Sequence, residues 1–231
     1  MQILRKSLTS QHTRLKLLTI GKFKNFWQWV ALILFGITLS VAITINSTWL
    51  YQLNIQDGKL LHLANITLKQ MMLNYHQLLA YLNYPWVTEL KMSDFKDSVD
   101  GLHHFRDVKH LFLANYVILI VSAWPAWRLV RSLHQREQQW RLIRPMQIIL
   151  AVIIFLVAMM LMNFQAFFIK FHEILFRNND WEFYPAQDPI INVLPENFFA
   201  QAFLLFFILV VIYFIALYWD GKRYFKKDKV K

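Results

Sequence analysis

Eight histidines are spread through the chain, and two stand among neighbours that suit proton transfer. The first is in Gly101-Leu102-His103-His104-Phe105-Arg106-Asp107-Val108-Lys109-His110, which leads directly into an apolar stretch and therefore reads as helix. His104 and Asp107 are then i,i+3 neighbours on one face, and His103 and Asp107 are i,i+4. A carboxylate beside an imidazole fixes its tautomer and raises its basicity, the usual support for a general base. Arg106 and Lys109 project to other sides, where they suit an anion. The second centre is His172 in Lys170-Phe171-His172-Glu173, followed by Arg177-Asn178-Asn179-Asp180-Trp181. Asn-Asn-Asp should end that helix, and Pro185, Asp188, Pro189 and Pro195 then hold an extended segment. His12, His62, His76 and His134 read as solvated or hydrogen-bonded side chains. There is no cysteine, hence no disulfide and no thiol nucleophile.

The elements that must carry these residues are set by hydropathy. Four apolar stretches, about 27–45, 111–127, 146–168 and 198–219, each approach the ~20 residues an α-helix needs to cross ~30 Å of hydrocarbon. The cations fall on one side of them. Arg5, Lys6, Arg14, Lys16, Lys22 and Lys24 precede the first stretch without any acid. Arg128, Arg131, Arg136, Arg141 and Arg144 lie between the second and third, and the tail adds Lys222, Arg223, Lys226, Lys227, Lys229 and Lys231. These are 17 of the 25 Lys and Arg, whereas 11 of the 14 acids fall in segments 46–110 and 169–197. Loops rich in Lys and Arg stay in the cytoplasm. The expectation is an all-α membrane protein with four transmembrane helices, both termini cytoplasmic, and outer loops 46–110 and 169–197. Residues 1–231 read as a single membrane domain in the cell membrane. The net charge of +11 calls for no nucleic acid, because the basic stripes flank spans and meet anionic lipid.

The first outer loop is itself helical in pattern. Leu61, Ala64, Leu68, Met71, Tyr75, Leu78 and Leu82 step by three and four, so a single amphipathic helix is expected, ended by Asn83-Tyr84-Pro85. It would either pack on the bundle or face lipid as a lid. His104 and His172 lie at about one depth above the spans, so two neighbouring helices can bring them into one pocket. Spacing alone leaves open whether they do.

The residues around these histidines resemble a known family. His104-Phe105-Arg106-Asp107-Val108-Lys109 is similar to the His-x-x-Asp-Val-Lys signature of the bacterial lipoprotein intramolecular transacylases, the Lit family. Phe171-His172, Phe176, Asn178, Trp181, Pro185, Asp188, Ile190-Ile191, Pro195-Glu196 and Phe198-Phe199 follow the later part of that pattern, and Asn74-Tyr75 with Leu79 and Tyr81-Leu82 match more weakly. The resemblance implies an enzyme acting on lipoproteins whose N-terminal cysteine carries an S-diacylglyceryl group. It would move the sn-2 acyl chain to the free α-amine, leaving the lyso form. It also implies His104 and His172 as the functional pair, with Asp107, Lys109, Asn178 and Asp188 in support. The partners would be the diacylglyceryl lipoprotein and membrane lipid, with no metal or cofactor.

The chemistry agrees with the residue types. An α-amine has a pKa of about 7.7–8.0 and must shed a proton before attacking an ester, which a neutral imidazole can accept. Amine and ester belong to one molecule, so folding the substrate into attack geometry is the main task. No Gly-x-Ser-x-Gly elbow is present, and no acyl-enzyme is needed. His104, oriented by Asp107, is expected as base and His172 as acid or oxyanion support, or the reverse, with Lys109 or backbone amides as further oxyanion donors. Two other classes compete. A haem or metal protein would use His103, His104, His172 and Asp107, although the spans contain no internal histidine and no His-Glu-x-x-His occurs. A membrane adaptor would need neither histidine, and a transporter would need ionisable span centres, which the four stretches lack.

Overall fold

A computed structural model describes residues 25–56 and 58–228, with side chains as far as Phe225. The basic arm from Arg5 to Lys24, His12 and the last tail lysines lie outside the described side chains. Every regular element among the described residues is helical. The order is α1 (Asn25–Ile45), α2 (Thr48–Ile55), α3 (Lys59–Ala64), α4 (Leu68–Asn83) and α5 (Val99–Gln135). A 3₁₀ turn (Gln139–Leu142) leads into α6 (Ile143–Met162), followed by α7 (Phe164–Leu175), a second 3₁₀ turn (Pro189–Val193) and α8 (Glu196–Asp228).

Four of these helices, α1, α5, α6 with its preceding turn, and α8, are long and apolar enough to cross a bilayer. Their inner faces meet in a core of Leu32, Leu129, Leu133, Leu142, Met146, Ile153, Phe207, Val210 and Phe214. Their outer faces leave Ile120, Val121, Ile154, Phe155, Leu161 and Ile212 exposed, the surface that acyl chains cover in a bilayer. Gly36 lets α1 and α8 approach: a Cβ there would lie 2.2 Å from the Tyr213 ring, and the Tyr213 hydroxyl donates to the Leu32 carbonyl at 3.0 Å.

A second core, at the His104 end, joins Tyr51, Ile55, Met71, Tyr75, Leu78 and Leu82 to Phe105, Ile190, Val193 and Phe198. Helices α2 and α4 thus sit on the mouth of the bundle. The polar side of α4 holds the acidic segment beside it. Asn74 donates to the Asp94 carboxylate (2.6 Å) and accepts from the Asp94 amide (2.9 Å), while Gln77 exchanges a similar pair with Ser93.

Three boundaries differ from the sequence expectation. The helix expected over 61–82 is two helices, because Asn65 takes a left-handed conformation (φ 52°) and Thr67 restarts the chain with a capping box to Gln70. The third apolar stretch is cut at Asn163, whose backbone is extended and whose side chain accepts from the Ala166 amide at 2.9 Å, capping α7. That helix ends at Leu175, before Asn178-Asn179-Asp180. The second stretch continues from the upstream helix as expected, but runs on past Trp127 to Gln135, making the 37 residues of α5.

Candidate active site

The site is built by pinning two helix starts. Ser98 caps α5 by accepting from the Gly101 amide at 2.9 Å, and Asp188, 2 % exposed, accepts from the Ser98 amide and hydroxyl, both at 2.8 Å. A Cβ on Gly101 would come within 2.3 Å of Asp188 Oδ1, so glycine is required for the carboxylate to seat there. Burial and the neighbouring Asp188 push the Asp97 carboxyl up to about 6. At the other side, Asn163 sets the start and direction of α7. One turn and a half along α5 and two turns along α7, His104 and His172 meet with ring centroids 5.9 Å apart.

Both imidazoles are buried, each 8 % exposed, and their surroundings are aromatic. Phe176 and Phe183 present edges to His104 at 4.9 and 5.4 Å, and Phe168 and Trp181 lie 4.1 and 5.0 Å from His172. His172 Nδ1 stands 2.8 Å from the Phe168 carbonyl. A carbonyl only accepts, so Nδ1 carries the hydrogen and Nε2 of the neutral ring is left with its lone pair. Burial holds the His172 pKa below the usual imidazole range, and the Phe168 hydrogen bond opposes this without overcoming it. His104 Nδ1 is buried with no hydrogen-bond partner. An unpaired buried polar atom is costly, and native proteins keep one mostly where a ligand or water completes it.

The four supporting residues divide. Asp107 does not bond to His104; its carboxylate accepts from Asn178 Nδ2 at 3.1 Å. The Asn178 carbonyl in turn accepts from Trp181 Nε1 at 3.0 Å, so the Asp107–Asn178 pair positions the indole beside His172. Lys109 is buried elsewhere: its Nζ donates to the carbonyls of Tyr84 (3.1 Å) and Val87 and stands 4.4 Å over the Tyr81 ring. It fastens the turn after α4 rather than facing the histidines. Asp188 holds the α5 start, as described. His103 pairs with Asp180 at 3.7 Å, and no group of three or more His, Asp or Glu suited to a metal occurs among the described residues. The aromatic walls, Phe168, Phe183 and the Ser98 cap, were not singled out from the sequence. The density of phenylalanine between 164 and 183 was the available signal.

Two buried imidazoles meet in an apolar box at one end of four membrane-length helices, an arrangement that suits proton transfer on an amphiphilic substrate held at a membrane. The comparisons specify it. A family model described as lipoprotein intramolecular transacylase Lit matches residues 26–199. The structure of the membrane-integral lipoprotein intramolecular transacylase Lit from Bacillus cereus superposes with a TM-score of 0.81 at 25 % identity, covering 92 % of this chain and 99 % of that one. Two structures of the same Bacillus cereus protein with one histidine replaced, by arginine or by alanine, give TM-scores of 0.74 and 0.75 at 26 % identity, covering 94 % of this chain and 98 % and 100 % of theirs. No protein with a curated description matches. The chain belongs to the Lit family of lipoprotein intramolecular transacylases.

Proposed function

We propose that this transacylase moves the sn-2 acyl chain of an S-diacylglyceryl-cysteine lipoprotein onto that lipoprotein's own α-amine, with His172 and His104 as its acid–base pair. The observation that carries the roles is the hydrogen bond from His172 Nδ1 to the Phe168 carbonyl. It turns the Nε2 lone pair of a buried neutral imidazole into the base. His104, whose Nδ1 lacks a protein partner, supplies the hydrogen bond that steadies the oxyanion. This reverses the role order expected first from the sequence, where Asp107 was to orient His104.

In this reading the amine nitrogen attacks the sn-2 ester carbonyl and gives its proton to His172 Nε2. The tetrahedral intermediate collapses, the carbon–oxygen bond to glycerol breaks, and the same proton ends on the glyceryl oxygen. One bond forms, one breaks, and the histidines return to their starting state. Nucleophile and ester arrive in one molecule, so the aromatic box contributes by holding them together and keeping water away from the ester. Segments 46–110 and 169–197 lie outside the cell membrane in this proposal, because the cations flank the other ends of the spans. The substrate's diacylglyceryl group then rests in the outer leaflet with its amine level with the pair.

The test is mass spectrometry of lipoprotein N-terminal peptides from a host that leaves diacylglyceryl lipoproteins unmodified and expresses this chain. Wild type yields lyso-form peptides. His172→Ala and His104→Ala each reduce them by about a hundredfold or more, the range of a lost general acid–base group, while the protein still enters the membrane. Undiminished product from either variant removes that histidine from the mechanism.

A further inference from the structure

At the end of the bundle opposite the histidines, a cavity of about 580 Å³ opens between α1 and α5. Arg128, Arg131 and Arg136 line it, with Gln28 from α1 and the indoles of Trp124 and Trp127. Arg128 is 24 residues beyond His104 on one helix, about 36 Å at 1.5 Å per residue, so cavity and histidines stand at opposite faces of a layer as thick as a bilayer.

We infer that this cavity is a binding site for the phosphate headgroup of an anionic membrane phospholipid. Three arginines line it, and among the described residues none has a carboxylate within ion-pair distance. Uncompensated guanidiniums on one cavity wall repel one another, and the donor geometry that relieves this is a phosphate accepting bidentate hydrogen bonds. Gln28, 8 % exposed and without a hydrogen-bond partner among the described residues, adds an amide donor. The chain's own residues 1–24 contain six cations and no acid, so they hold no counter-charge for the site.

A lipid, rather than free phosphate, follows from the rim. Trp124 and Trp127 pack against each other at 4.9 Å, and Arg131 lies 5.1 Å over the Trp127 ring. The exposed Ile120 and Val121 lie one turn before Trp124 on α5. Tryptophan takes this place at the membrane–water boundary, with apolar chains on one side and headgroups on the other. An anion arriving along that surface carries acyl chains, and the exposed Ile120–Val121 face is where they lie. The site is independent of the transacylase chemistry.

Native mass spectrometry of the full-length, detergent-solubilised protein titrated with phosphatidylglycerol tests this, with phosphatidylcholine as the zwitterionic comparison. Wild type retains phosphatidylglycerol in preference. The triple exchange Arg128→Gln, Arg131→Gln and Arg136→Gln weakens it by about tenfold or more, as loss of several charge-assisted hydrogen bonds demands. Exchanging Arg141→Gln and Arg144→Gln, on the same basic link but outside the cavity, leaves retention unchanged. Equal retention by the triple variant overturns the site, as does equal retention of the two lipids. Displacement of the lipid by inorganic phosphate at matching concentration overturns the lipid assignment. Lyso-form production by the triple variant stays at the wild-type level, so failure here and failure of the histidine mechanism are told apart.

Discussion

His172 shows how a single hydrogen bond selects a tautomer. Its partner at i−4 is a backbone carbonyl that cannot donate, so the tautomer is fixed by the α7 backbone and needs no carboxylate. Burial disfavours the imidazolium, which keeps the lone pair available at neutral pH. The sign can be checked. A histidine whose folded pKa is depressed contributes full stability above about 6.5, its ordinary value, and loses it as pH falls towards the folded value, because the unfolded chain binds the proton more readily. Imidazole NMR titration of the detergent-solubilised protein should place the His172 midpoint below 6.5, and His172→Gln should flatten the fall in melting temperature beneath that pH. A midpoint above 6.5 would remove the neutral base. Asp107 shows the opposite case, a residue whose spacing suits His104 and whose bond goes to Asn178.

Lys109 makes its argument at the scale of elements. Its signature position next to the histidines suggests an anion, yet its ammonium joins the carbonyls that follow α4 to the flank of α5. Lys109→Met leaves those carbonyls without their donor and should cost about 2 kcal/mol, in the range of a hydrogen bond to a charged group. Differential scanning fluorimetry should show a melting temperature lower by several degrees, with turnover per folded molecule close to wild type. A large loss of turnover at unchanged melting temperature would instead return Lys109 to the reaction. The breaks at Asn65 and Asn163 matter for the same reason. Each restarts a helix in a new direction, and the second turns α7 so that His172 faces α5.

Across the whole molecule, two cores divide the work. The bundle core of α1, α5, α6 and α8 makes a membrane-length frame, and the second core seats α2 and α4 over its mouth, beside the histidine pair. The proposed orientation can be read directly, since the chain has no cysteine of its own. Lys96→Cys should react with a membrane-impermeant maleimide in intact cells, and Arg141→Cys should react only after lysis. The reverse pattern would invert the topology and move the chemistry to the cytoplasmic leaflet.

Hydropathy alone was sufficient for four membrane-length helices, because crossing hydrocarbon constrains length and composition locally, whatever the neighbours. His104 and His172 could be placed on helical segments at one depth, but their meeting stayed open until the fold brought the rings together, and the family resemblance of the surrounding residues agreed with the family that the chain proved to belong to. The caps at Thr67 and Asn163 were present in the residue types, but the apolar stepping across them masked the breaks. Partner choice was not legible. Asp107 with Asn178, Lys109 with Tyr84 and Val87, and Asp188 with Ser98 join residues far apart in sequence. Helical spacing can say which side chains share a face; which distant group completes each hydrogen bond is settled only when packing brings the helices and loops together.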